Sequence, residues 1–277
     1  QTGLEPLNPS AERDLRRIIK YARKRGIRLL LYKAPSSDLN KKKTINYIRE
    51  FAKKNDVPFI DFNENLKAYH HLSFPKAAAM TAMLGKYLAG HYSFPDKRTD
   101  PKYADWNKSI DFYKQQELKY YLNNNNDFAD VLRKLNNPNY VVIVAARDST
   151  VRKDGEIRRD IIDAWKNLGL DAGILDKSHY HFSYIALVDG GKKIYESREK
   201  EADHKISWKN YIPGLGRVLV ESKGGCCDIG EIAKIKIDNA NRSLNRRGFN
   251  ILVYDKIMDD IIRIFHFDTF DIGYDKK

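Results

Sequence analysis

Apolar positions in the first half of the chain recur at helical spacing and alternate with short apolar runs. Leu15, Ile18, Ile19 and Ala22 share one helical face, with Ser10 the expected N-cap and Gly26 the expected stop. Residues 27–32 then read as a short buried strand. Ile45, Ile48, Phe51 and Ala52 mark a second helix, residues 57–62 a second strand, and Met80, Met83, Leu84, Tyr87 and Leu88 a third helix. Strands separated by helices predict parallel pairing through right-handed crossovers, as in a three-layer α/β fold. Two strands make a thin sheet, which calls for further strands from elsewhere or from upstream.

Residues 93–119, with Pro95, Pro101 and Trp106, read as a linker that runs into a helix. Phe128, Val131, Leu132 and Leu135 mark the next helix, residues 140–146 a strong strand, and Ile157, Ile161, Trp165 and Leu168 another helix. Strands dominate from there. Residues 182–188 end at Asp189-Gly190-Gly191, a hairpin signal. Across residues 231–237, Ala233, Ile235 and Ile237 are expected inward and Lys234 and Lys236 outward. Residues 249–254 and 261–267 form a further expected pair across a turn at Asp259-Asp260. The second half is therefore α+β with a sheet-rich C-terminus.

Composition places the chain among globular proteins: 277 residues, 42% hydrophobic and 31% charged. The longest apolar run, residues 140–146, falls far short of the ~20 residues of a membrane span. No signal-peptide pattern is visible. The chain opens on Gln1 rather than Met, which is compatible with a processed or truncated product. The two cysteines, Cys226 and Cys227, are adjacent, which is the spacing of neither a zinc site nor a disulfide framework.

The net charge of +13 is uneven, because residues 1–120 carry 24 Lys/Arg against 13 Asp/Glu and residues 121–277 carry 26 against 24. An anionic polymer is thus one candidate partner for the basic N-terminal half; a solvated helix face through Arg16, Arg17, Arg23, Lys24 and Arg25 is the alternative. Nucleic acid is not the expected partner, since helix-turn-helix, RNP and Cys/His-finger motifs are missing.

His70-His71-Leu72-Ser73 follows a strand ending in Asp61, and a His in such a loop can serve as general base to a serine. The run from Leu29-Leu30-Leu31-Tyr32-Lys33-Ala34-Pro35 through Pro58-Phe59-Ile60-Asp61-Phe62 to His71-Leu72-Ser73 resembles the C-terminal part of SGNH/GDSL-type hydrolases. Tyr92-Ser93-Phe94-Pro95-Asp96-Lys97-Arg98 resembles the extension of their bacterial surface-associated branch. The resemblance covers roughly residues 8–115. It implies a carbohydrate esterase or O-acyltransferase with His71 as catalytic base. The family's Gly-Asp-Ser nucleophile block is absent, however, and Ala68 stands where its Asp would precede the His. Such an activity would need a serine from upstream sequence.

Arg247-Gly248-Phe249-Asn250-Ile251-Leu252-Val253-Tyr254, followed by Phe265-His266-Phe267-Asp268-Thr269-Phe270, resembles the paired strands of the interleukin-like EMT inducer family. Residues 141–148, the helix through Trp165-Lys166-Asn167-Leu168-Gly169 and residues 182–191 resemble that family's other half. The order is swapped, as in a circular permutation, which places the strand ending at Asp268 beside the helix beginning near Asp127. The family includes secreted signalling proteins and a sugar-binding stem domain. By that resemblance, Arg247, Asp148 and His181 are the expected ligand-binding residues. Arg and Asp together offer a sugar hydroxyl charge-assisted donors and acceptors. Tyr180, Tyr184 and Trp208 are candidate stacking aromatics. An ion pair between Arg247 and Asp148 that merely supports the sheet is the alternative. His179 and His181, alternating on one strand face, could approach a metal, but no third ligand presents itself.

The expected architecture is thus a partial three-layer SGNH-like α/β segment over residues 1–120, followed by an α+β interleukin-like EMT inducer-type domain with permuted strand order over 121–277. The expected function is recognition of a cell-surface or extracellular glycan or polysaccharide, with no cofactor and no metal. The resemblances alone suggest the extracellular setting.

Overall fold

A computed structural model describes residues 3–36, 42–64, 72–154, 156–200, 204–225 and 232–272. The chain mixes helices and strands and divides into two compact units, Gln1–Lys97 and Arg98–Lys277.

In the first unit, α1 (Pro9–Lys24) and α2 (Lys42–Lys54) pack on β1 (Leu31–Lys33) and β2 (Phe59–Asp61). The two strands pair in parallel, with Leu31 opposite Phe59. Asn8, not Ser10, caps α1: its Oδ1 accepts from the Ser10 amide at 2.9 Å. Pro9 explains the shift, because its fixed φ and missing N–H suit the first helical position. Each strand is only three residues long. Ile27 and Tyr32 are 54% and 51% exposed, so residues 27–32 are not a buried strand. Among the described residues each strand pairs with one neighbour, and five of their six residues are half-buried. The core is small, built on Ile19, Phe51 and Val57 with Leu15, Leu29, Leu31 and Tyr47 against it. The third helix, α3 (Phe74–His91), buries none of its residues despite its apolar spacing.

The second unit opens with α4 (Asp105–Asn124), which spans the 120/121 division drawn from charge. Asn123 Nδ2 donates to the Ile262 carbonyl at 3.0 Å, and Lys119 meets Asp260 at 2.9 Å, so α4 belongs with the strands that follow. Next come α5 (Phe128–Leu135), β3 (Tyr140–Asp148) and α6 (Arg159–Asn167). They are followed by β4 (Ser183–Asp189), β5 (Lys192–Glu199), β6 (Ile206–Ile212), β7 (Gly216–Gly224) and β8 (Ile232–Ile237). A two-residue β9 (Ala240–Asn241), β10 (Gly248–Asp255), β11 (Asp260–Phe267) and a short α7 (Thr269–Ile272) complete it.

β3 is the axis. One edge pairs antiparallel with β10 along its whole length, from Tyr140 opposite Asp255 to Arg147 opposite Gly248. The other edge is shared: Val141 to Ala145 pair with β4, while Arg147 and Asp148 pair in parallel with Lys223 and Gly224 of β7. The sheet therefore forks at Asp148. The branch β6-β7-β8 folds back so that Val218, Val220, Ala233, Ile235 and Ile237 pack against Val141, Ile143, Ala145, Ile185 and Leu252. On the opposite face, α5 and α6 bury Phe128, Val131, Leu132, Leu135, Ile161 and Trp165.

Strand polarity follows the alternation read from sequence. Ala233, Ile235 and Ile237 are buried between half-buried Lys234 and Lys236. Gly190 and Gly191 turn β4 into β5 with φ of 58° and 77°, the left-handed pair that a two-residue hairpin needs. The β10–β11 loop is residues 256–259, so Asp259 lies in the turn as expected while Asp260 already pairs with Asp255. Phe267 stacks on Phe128 with ring centroids 3.9 Å apart, which brings the segment ending at Asp268 beside the start of α5.

Candidate functional site

The fork gathers polar groups at the C-terminal end of β3. Asp148 leaves the strand with φ 59°, and His181, just before β4, has φ 64°. Few L-residues other than Asn, Asp and His adopt this left-handed region readily. Gly224, opposite Asp148, lies so close to the carbonyl of His181 and the backbone of Phe182 that a Cβ would collide with both. Hydroxyls stitch the fork together. Ser222 Oγ donates to the Ala146 carbonyl at 2.6 Å and accepts from the Tyr184 amide at 2.9 Å. The Gly224 amide donates to Ser183 Oγ at 2.9 Å, and the His181 amide to Ser149 Oγ at 3.3 Å. These buried serines satisfy backbone groups that the split ladder leaves unpaired.

Three segments converge on this end. His181 Nδ1 lies 3.1 Å from Asp148 Oδ1. Because Gly248 pairs with Arg147, the preceding Arg247 arrives across from Asp148. The guanidinium of Arg247 does not pair directly with Asp148. Its Nε donates to Asp268 Oδ2 at 2.9 Å, its terminal nitrogen reaches Asp271 Oδ2 at 2.5 Å, and it lies over the Phe270 ring at 4.7 Å. Arg247 therefore acts on Asp148 through space. Burial pushes the Asp148 carboxyl above its usual range, against the opposing pull of His181, Arg247 and Arg147. Asp268, helped by Asp271 and Asp148, holds Arg247 even more firmly as a cation than usual. Tyr180 sets its ring edge-to-face on His181 at 3.6 Å, and Lys153 lies over that tyrosine at 4.9 Å.

Comparison of the chain with family models, with curated proteins and with solved structures finds no match. The geometry therefore carries the functional argument.

The expected ligand-binding residues Asp148, His181 and Arg247 come together, and the direct Arg247–Asp148 ion pair does not form. Of the candidate aromatics, Tyr180 is at the site. Tyr184 is not available: its side chain is buried, and its hydroxyl donates to Glu196 at 2.6 Å. Trp208 stands against Tyr195 beside the core under the folded-back branch of the sheet. His179 and His181 do not share a strand face, because residues 177–179 form a 3-10 turn and His181 is left-handed. Among the described residues, no group of three His, Cys, Asp or Glu is placed to hold a metal ion.

The proposed catalytic base His71 lies outside the described residues, as do Cys226 and Cys227. Asp61, near it in sequence, is engaged by Arg49 at 3.1 Å. Among the described residues, no helix is long and apolar enough to cross a membrane.

Sequence reasoning missed Asp271 and Phe270 as holders of Arg247, and Arg147 as a charge beside Asp148. Asp268 and Asp271 stand three apart across a short helix, a spacing that puts both carboxylates on one side. That signal was legible once α7 was recognised.

Proposed function

We propose that the second unit is a glycan-recognition module whose binding residues are Asp148, His181 and Arg247. The observation that carries this reading is the meeting of His181 and Asp148 at 3.1 Å, with Arg247 beside them, on three separate segments at the fork of the sheet. The cluster offers complementary chemistry. Asp148 supplies acceptor lone pairs, His181 a donor and acceptor, and Arg247 a cation with donors held in fixed orientation by Asp268 and Asp271. Sugar hydroxyls act as donor and acceptor at once and suit such a set. Tyr180 supplies an aromatic edge and face beside His181 for the apolar side of a sugar ring. The resemblance of Arg247-Gly248 and Asp148 to the sugar-binding positions of the interleukin-like EMT inducer family points the same way. A polysaccharide or glycoconjugate at the cell surface or outside the cell is the ligand class of this reading.

A glycan array probed with the full chain tests it, alongside the variants Asp148→Ala and Arg247→Ala. Selective binding that both substitutions abolish is the expected result. Binding indifferent to both would remove the site, and an array without any bound glycan would remove the function.

A further inference from the structure

We infer that a groove along α1 in the first unit binds an acidic polysaccharide, at a site separate from the Asp148 cluster. The groove has a volume of about 520 Å³ and is lined by Pro6, Leu7, Pro9, Glu12 and the basic side chains of α1. Arg13, Arg17, Lys20 and Lys24 recur at i, i+4, i+7 and i+11, so they form one stripe about 16 Å long at ~1.5 Å per residue. The first three line the groove, and Lys24 extends the stripe past it.

Those cations are available. Among the described residues, Arg13, Lys20 and Lys24 take part in no ion pair, and Arg17 meets Asp14 only at 3.7 Å with both side chains well exposed. The carboxylate in the groove is already committed: Glu12 accepts from Arg16 at 2.6 Å and from the Tyr47 hydroxyl at 2.6 Å. Residues 1–97 carry 19 Lys/Arg against 9 Asp/Glu, so the unit that holds the groove is strongly basic.

Charge complementarity calls for an anionic occupant, and the lining decides its class. The groove contains no aromatic side chain, whereas single-stranded nucleic acid is held by base stacking on aromatic rings. The exposed ring on α1, Tyr21, lies outside the groove lining and has the Arg25 guanidinium 5.0 Å from its centroid. A bilayer would require a broad apolar face, yet Ile19 and Ala22 are turned into the core and the large apolar side chains left exposed on α1 are Ile18 and Tyr21 alone. A row of cations beside the apolar edges of Pro6, Leu7 and Pro9 fits instead a chain of sugars. Its carboxylates or sulfates would meet the stripe while its C–H faces lie on the prolines.

The experiment uses the full chain over immobilised heparin and hyaluronan at low and physiological salt. Binding to at least one of the two is expected, falling steeply as salt rises. The variant Arg13→Gln/Arg17→Gln/Lys20→Gln is expected to bind roughly tenfold or more weakly with an unchanged melting temperature, because all three residues are exposed. The single variant Lys20→Gln is expected to bind less tightly than wild type, and it keeps the test open if the triple variant folds poorly. Asp148→Ala is expected to leave this binding unchanged, which separates it from the glycan site. Equal binding by the triple variant would overturn the inference. So would failure to bind either polysaccharide, or tighter binding to single-stranded DNA or to phosphatidylserine vesicles.

Discussion

His181 Nδ1 stands 3.1 Å from Asp148 Oδ1, and both residues hold a left-handed backbone at the point where the sheet forks. Two half-buried polar side chains, each on an uncommon left-handed backbone, are thereby brought face to face.

Asp148 gives a prediction with a definite sign. Its folded carboxyl titrates above the ordinary value, chiefly through burial. The folded state then binds more protons than the unfolded one between about pH 4 and that raised value, so this carboxyl lowers stability as pH rises through the window. Above it the loss is complete. Asn tolerates the left-handed backbone and carries no charge. Asp148→Asn is therefore expected to melt at a higher temperature than wild type at pH 7, with the difference fading below about pH 4. Thermal melts across pH measure this; a lower melting temperature at pH 7 would mean that the contacts of the Asp148 carboxylate outweigh the cost of its burial.

Gly224 is the second test, because it couples the fold to the site. A Cβ there collides with the backbone of His181 and Phe182 rather than with a movable side-chain tip. Gly224→Ala is expected to cost about 1–3 kcal/mol in denaturant unfolding. It should also shift the His181 ring signals in an NMR spectrum. A variant as stable as wild type with unmoved signals would contradict the tight approach of β7 to His181.

Phe128 tests the joining of α5 to the end of β11. It is buried, stacks on Phe267 at 3.9 Å and lies edge-on to Trp165. Phe128→Ala is expected to destabilise the second unit by about 3–5 kcal/mol. Urea unfolding followed by circular dichroism gives the value, and a loss under about 1 kcal/mol would refute this packing.

The sequence made the second unit more legible than the first, for physical reasons. Residues 140–146 and 251–254 are continuous apolar runs because each strand is covered on both faces, and such runs announce themselves. Ala233, Ile235 and Ile237 alternate because β8 is covered on one face only. β6 and most of β7 were missed: Trp208, Lys209, Asn210 and Tyr211 alternate weakly on a strand with one neighbour. The fork could not be read at all, since it depends on Ser222, Ser183 and Gly224 meeting across segments far apart in the chain. In the first unit, apolar spacing correctly marked helices but overstated burial, as exposed Ile18 and the half-buried Met80, Met83 and Leu84 of α3 make plain. Asp148, Arg247 and His181 were named through a family resemblance, and their convergence became visible only through the register of β3 with β10.

The most direct test of the glycan-binding account is a titration of the full chain, labelled with ¹⁵N in its histidines, with the strongest ligand from the array. The account predicts that the His181 ring resonances shift and saturate with the same affinity as binding measured calorimetrically, and that Asp148→Ala removes both effects. Saturable binding that leaves His181 unmoved, or that survives Asp148→Ala intact, would contradict it.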